Sequence, residues 1–220
     1  MNPTEEVKNI IEALQLVANP TYKDGMQRFG IESSKALGVR IPDVRFIARS
    51  YKKQHELALA LWDTGIHEAR IMACMVADPK QFTSELMDIW SSDFDSWDVC
   101  DQCCSNLFCK LPFAYDKIFE YAQAEAEFKK RTAFTLIAIM GVHLKKMPDA
   151  EFLPLLELLE KHADDNRNFV KKAVNWALRQ IGKRNATLRP LAIETARRIA
   201  AQPHKSARWI AADALRELEG

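Results

Sequence analysis

Between residues 94 and 104 the chain reads FDSWDVCDQCC, which gathers three aspartates, a tryptophan and three of the five cysteines. Those residue types could bind zinc through thiolates, attack a substrate through a thiol, or steady a developing cation with a carboxylate. The zinc reading fits the spacing poorly. Cys100, Cys103, Cys104 and Cys109 fall on one predicted helical stretch with no nearby histidine, whereas a structural zinc site joins two ligand pairs across a loop. Small buried hydrophobes are the commoner role for such cysteines. A thiol nucleophile would need His143 or His162 as its base, and no local motif ties either to it. The five histidines fall at predicted helix ends or in loops, where solvated or capping roles are the rule. The stretch HEAR at 67–70 lacks the second histidine of a metalloprotease helix, and the seven scattered glycines form no phosphate loop. Trp97, Asp98 and Asp101 remain. Asp98, in the first turn of a predicted helix, complements the helix N-terminus. Asp101 lies three residues on, sharing its face, and its plain structural role would be an ion pair with Arg131 or Lys172.

Almost every segment of the chain carries apolar residues at i, i+3 and i+4, and almost none alternates as a strand would. The predicted fold is therefore all-α, with about a dozen helices of roughly ten to seventeen residues joined by short connections. Pro42 sits in the first turn of one helix, Gly65 ends HELALALWDTG, Asp78-Pro79 ends the helix of IHEARIMACMVA, and Thr83 caps the next. Pro112 and Pro148 break later helices, and Gly182 with Asn185 is expected to end WALRQIGKRN.

Four segments align without gaps: HEARIMACMVA, KKRTAFTLIAI, FVKKAVNWALR and KSARWIAADAL. Each places a cation ahead of a small, apolar stripe, at Arg70, Arg131, Lys172 and Arg208. The first offset is about twice a helical-hairpin period, which implies a fifth member between them. WDVCDQCCSNL stands there, with Asp101 31 residues after Arg70 and 30 before Arg131. One repeat thus offers a carboxylate where four offer a cation. Equivalent positions of stacked hairpins line one face, so residues 1–220 are expected to form a single solenoid domain presenting these five side chains along one surface.

The formal net charge of +1 conceals an asymmetry: residues 54–128 carry −10, whereas residues 1–53 carry +3 and residues 161–220 carry +7. Two basic regions flank an acidic middle, which a polyanion gripped by both ends would explain, as would ordinary solvated faces. Within DDNRNFVKKAVNWALRQIGKRN (164–185), Arg167, Lys171, Lys172, Arg179, Lys183 and Arg184 surround Phe169 and Trp176. Cations interleaved with aromatics suit a phosphate-contacting, sugar-stacking surface; the alternative is a core tryptophan beside a snorkelling arginine. No stretch is long and apolar enough for a membrane span, and the N-terminus does not read as a signal peptide. The odd number of cysteines and their crowding point to a reducing compartment, the cytoplasm.

These residues resemble the DNA alkylation repair glycosylases built from HEAT-like helical repeats. The resemblance runs from FGIESSKALGVRIPDVRFIARSY (29–51) to the last repeat and is most specific at WDVCD (97–101), FKKRTAF (128–134) and NFVKKAVNWALRQIGKRN (168–185). It implies a glycosylase for purines alkylated at N3 or N7, working as a monomer on duplex DNA without metal or other cofactor. Asp101, Trp97 and Trp176 would be catalytic; Arg131, Arg179, Lys171 and Lys172 would hold phosphates, with Arg70 and Arg208 at equivalent repeat positions. This chain departs from the family pattern in having one aromatic in NFVKK, Asn175 in place of a small residue, and Cys100 and Cys103 inside the motif. Two alternatives share the fold: a non-catalytic DNA-binding module and a protein-interaction scaffold.

Overall fold

A computed structural model describes residues 3–220, which form thirteen α-helices and four 3-10 turns with no strand among the described residues. They fall into two compact units that meet in sequence at Leu111 and Pro112. The first contains α1 (Pro3–Leu16), α2 (Pro20–Met26), α3 (Ile41–Ala48), α4 (His55–Asp63), α5 (His67–Val76), α6 (Ser84–Ser92) and α7 (Trp97–Asn106). Its 3-10 turns are Gln27–Phe29, Arg49–Tyr51 and Phe108–Lys110. The second contains α8 (Ala114–Ala122), α9 (Glu127–His143), α10 (Leu153–Lys161), α11 (Asn168–Arg184), α12 (Leu188–Ala200) and α13 (Lys205–Glu219), with one 3-10 turn, Asp149–Phe152.

The punctuation residues act largely as expected. Pro42 lies in the first turn of α3, and Thr83 caps α6 by accepting the Leu86 N–H at 3.2 Å. Gly65 follows α4 in the left-handed region at φ 67°, a conformation that a Cβ disfavours. Because such stops come early, α4, α6, α8 and α10 are only nine residues long, shorter than the apolar pattern suggests.

Gly182 departs from its expected role. It does not end a helix but lies buried inside α11, where a Cβ would come within 2.7 Å of the Leu218 side chain and 3.1 Å of Ala192. Its smallness lets α12 and α13 close on α11. Asn185 does terminate α11, and its Oδ1 accepts the N–H groups of Thr187 and Leu188 at 3.1 and 2.8 Å, which starts α12.

The core of the first unit is aromatic. Trp62 and Trp90 stack at 4.0 Å with planes 3° apart, edged by Phe82 and Phe94. Trp62 Nε1 donates to Asp93 Oδ2 at 2.9 Å, so the buried indole leaves no polar group unmet. In the second unit α9 packs against α8 and α11, and α11 also packs against α13. From Arg131 to Gly141 every residue of α9 is buried. The buried Asn175 Nδ2 donates to the Ile210 carbonyl at 3.1 Å, stapling α11 to α13. That contact accounts for an amide where a small residue was expected.

The aligned repeat positions keep one register. Arg70, Asp101, Arg131, Lys172 and Arg208 each fall on the fourth or fifth residue of a helix, namely α5, α7, α9, α11 and α13. Within the first unit α5 packs on α7, and within the second α9, α11 and α13 pack in sequence.

Candidate functional site

In the first unit Trp97 opens α7 and Asp101 follows one turn later, both half-buried. Trp97 is held at two points. Its Nε1 donates to the Phe29 carbonyl at 3.0 Å, and its ring packs on buried Met26, Ile31 and Ala36. The backbone beneath it is fixed from the next helix inward. Glu68 of α5, buried, accepts the N–H groups of Leu37, Gly38 and Val39 at 2.8, 2.7 and 3.0 Å. Gly38 adopts φ 87°, and a Cβ there would sit 2.5 Å from the Asn19 carbonyl oxygen, so the strand of chain that Glu68 grips tolerates only glycine at its centre. Sequence reasoning missed Glu68, whose only signal was an acid within a stripe of small and apolar residues.

Asp98 does more than favour a helix terminus. Its Oδ1 accepts the Val99 N–H at 3.0 Å and its Oδ2 contacts buried His67 Nε2 at 2.9 Å. Burial opposes the charged imidazole, yet the Asp98 hydrogen bond, its charge and the charges of Glu68 and Asp95 together raise the His67 pKa above its ordinary 6.5. A raised folded-state pKa contributes stability that is complete below the unfolded value and is lost as pH rises through the folded one. Unfolding measurements on wild type and Asp98→Asn should therefore show their widest stability gap below pH 6.5 and a narrower gap in mild alkali; a gap that widens with pH would contradict the pairing. The histidines as a group differ from expectation, since His55, His67 and His162 are buried. His162 packs its ring 5.7 Å from Phe134, and burial with Lys130 and Lys161 lowers its pKa to about 4.

All five cysteines are free and buried. Burial, then contact with Cys74 and Cys100 respectively, drives the Cys103 and Cys104 thiols well above their usual range. The five pack as hydrophobes, and the raised Cys103 and Cys104 thiols are not poised for attack. No cluster of three or more potential metal ligands occurs among the described residues, and no helix is long and apolar enough to cross a membrane.

The predicted cations differ sharply in what they are doing. Arg70 Nη1 donates to the Asp93 carbonyl at 3.1 Å, lies 3.9 Å from Asp95 and covers the Trp62 ring at 5.0 Å. Arg131 is buried, and its Nη1 donates to the Phe169 carbonyl at 2.6 Å. Arg179 pairs with Glu217 and, at 3.6 Å, with Asp213, while Lys183 pairs with Glu217 at 2.5 Å. Arg184 is a helix cap: its Nη1 donates to Gly141 at 2.9 Å and its Nη2 to Leu144 and Met147 at 2.7 and 3.0 Å. The Gly141 carbonyl lies in the last turn of α9, where backbone acceptors lack intrahelical donors, and those of Leu144 and Met147 follow the helix. Arg167 binds Asp165, whose pKa falls to about 2 because the Arg167 and Lys130 contacts outweigh burial. Arg167 and Arg184 therefore leave the phosphate-contacting group that their sequence positions suggested.

Lys172 and Arg208 stay exposed, and Trp176 is half-buried between them in sequence. Lys171 places its Nζ 4.9 Å over the ring of Trp209, which is 41% exposed. Trp209 escaped the sequence reading, although an aromatic beside Arg208 was a visible cue. Trp97, Asp101 and Arg70 thus belong to the first unit on the packed pair α5 and α7. Trp176, Arg179, Lys171, Lys172, Arg131 and Arg208 belong to the second on α9, α11 and α13.

A family model described as "DNA alkylation repair enzyme" matches residues 10–218. An uncharacterized protein of Listeria innocua serovar 6a is 23% identical over 190 residues, covering 84% of this chain and 83% of that protein. A solved structure described as a new family of proteins related to the HEAT-like repeat DNA glycosylases, with affinity for branched DNA structures, superposes with a TM-score of 0.78. It shares 18% identity and the match covers 95% of this chain and 94% of that one, so the HEAT-like helical-repeat fold is common to both.

Proposed function

Because this chain belongs to the DNA alkylation repair enzyme family, we propose that it removes purines alkylated at N3 or N7 from duplex DNA by hydrolysing the N-glycosidic bond. The observation that carries the proposal is Asp101: a half-buried carboxylate one turn beyond Trp97, at the helix register where α5, α9, α11 and α13 each carry a cation. Such a base is already positive, so the electron pair of the breaking C1′–N bond leaves with it as a neutral purine, and no general acid is needed. The sugar becomes oxocarbenium-like, water bonds to C1′ and releases a proton. A fixed carboxylate lowers the energy of that cation and orients the water.

In this reading Trp97, one turn before Asp101, packs on a deoxyribose and adds cation–π attraction as charge develops, and Trp176 of the second unit offers its own ring for stacking on DNA. Lys171, Lys172 and Arg208 meet phosphates directly. Arg131 and Arg179, held by Phe169 and by Glu217 and Asp213, contribute field and position more than direct contact. No metal or other cofactor enters the scheme, and the chain acts as a monomer.

The direct test is release of free 7-methylguanine from methylated duplex by the purified protein. Release with turnover supports the glycosylase. A second reading, binding of DNA without base removal, draws on the related protein with affinity for branched DNA structures. Tight duplex or branched-DNA binding with no base released over hours would select it.

A further inference from the structure

The cations named so far are in large part consumed by ion pairs and caps, whereas four others have no acidic partner among the described residues, although Lys110 Nζ donates to the Asn106 carbonyl. Arg45 on α3, Arg49 and Lys52 in and just beyond the following 3-10 turn, and Lys110 at the end of another are all exposed around one groove of about 300 Å³. Ala48 and Met75 form its apolar floor, and Asn106, the last residue of α7, supplies an amide. No acid lines it, and none of the four cations makes an ion pair among the described residues. The nearest acid on the same helix, Asp43, is occupied by Arg40 at 3.2 Å. Phe46, 70% exposed, projects beside the groove with the Arg49 guanidinium 5.9 Å from its ring centre.

We infer that this groove, built wholly from first-unit residues, is an anchoring site for consecutive phosphodiesters of a DNA strand; the inference rests on the duplex-DNA reading above. Four unneutralised cations around a single trough exceed what one small anion needs, and they match the run of charges along a nucleic-acid backbone. Guanidinium forks at i and i+4 grip phosphate oxygens in pairs, and an exposed phenyl face beside them can carry a sugar or an unstacked base. Arg45, Arg49 and Lys52 come from residues 1–53, which carry +3, and only Lys110 comes from residues 54–128, which carry −10. A local positive trough of this kind fixes where the backbone can lie and so sets register. It is also tied to the helix of Asp101. Arg45 Nη2 donates to Gln102 Oε1 at 3.4 Å, and Asn106 Nδ2 donates to the same oxygen at 3.1 Å and to the Gln102 carbonyl at 2.8 Å. A strand held here would be registered against α7.

The experiment uses the full chain and an unmodified fluorescent duplex, titrated over a range of potassium chloride. Arg49→Ala/Lys52→Ala, which spares the Arg45–Gln102 tie, should weaken binding about tenfold or more at low salt. It should also make the slope of log affinity against log salt less negative by about 2. Arg49→Lys/Lys52→Arg should keep the wild-type slope, and base release from methylated duplex at saturating protein should be unchanged in both. A wild type that binds steeply and a double-alanine variant indistinguishable from it would overturn the groove while leaving the glycosylase reading intact. A wild type with no duplex affinity would sink both. Inorganic phosphate should compete no better than chloride at matched ionic strength, and polyglutamate of matched charge should compete worse than duplex. Specific displacement by either would reassign the groove to free phosphate or to acidic peptides and overturn the inference.

Discussion

Asp101→Asn is expected to slow release of 7-methylguanine from methylated duplex by about 10² or more, while duplex affinity stays within a few-fold of wild type. The amide matches the carboxylate in size, so the packing of α7 around Trp97 and Cys104 is preserved and only the charge is removed. A hundredfold loss corresponds to about 2.7 kcal/mol of transition-state stabilisation, the scale for one fixed electrostatic group. Binding should not suffer, because a carboxylate near a phosphate backbone repels it, and its removal strengthens affinity slightly if it acts at all. The split between unaltered binding and lost chemistry distinguishes a group acting on the sugar cation from one that only pairs with neighbouring cations. Single-turnover release at saturating protein measures it, and a variant with full activity would remove Asp101 from the mechanism.

Glu68→Ala should destabilise the protein by about 3 to 5 kcal/mol, since two buried N–H groups and one part-buried N–H group lose a charged acceptor together. For a chain of this size that lowers the melting temperature by roughly 10 °C. Glu68→Gln should cost less but remain clearly destabilising: the amide oxygen can still serve Gly38 and Val39, while its NH₂ is turned toward the Leu37 N–H. The effect should reach the site as well. The segment from Ala36 to Val39 adjoins the packing of Ala36 and Met26 on which Trp97 rests, so base release in the folded fraction should fall along with stability. Thermal or urea unfolding checks the first part, and a midpoint equal to wild type would refute the clamp.

Much of this molecule is legible from residue types alone. Helix ends declare themselves where proline, glycine or a capping hydroxyl leaves the chain few options, as at Pro42, Gly65 and Thr83. The repeat phase emerges because five helices carry a charged residue at one register, and the odd sign at Asp101 stands out against the rest. What stays hidden is where each side chain spends its hydrogen bonds. Arg184 reads as surface charge, yet its acceptors are carbonyls some forty residues earlier, and nothing in the local sequence names them. Gly182 reads as a helix stop, while its actual constraint is the Leu218 side chain of another helix. Arg45 and Arg49 could have been noticed, since they stand four residues apart, on α3 and at the start of the 3-10 turn after it, with no acid three or four residues away to neutralise the groove side. Intrahelical spacing reveals faces; contacts between repeats decide which of those faces is already taken.

All five sulfhydryls belong to the first unit and are enclosed, and burial pushes the Cys103, Cys104 and Cys109 thiols above their ordinary range. Electrophiles that methylate purine nitrogens react readily with thiolates, which are softer and more nucleophilic than any ring nitrogen in DNA. Enclosure therefore gives a protein of an alkylation-repair family a form of chemical self-protection: the damage it is built to answer finds no reactive sulfur on its own surface.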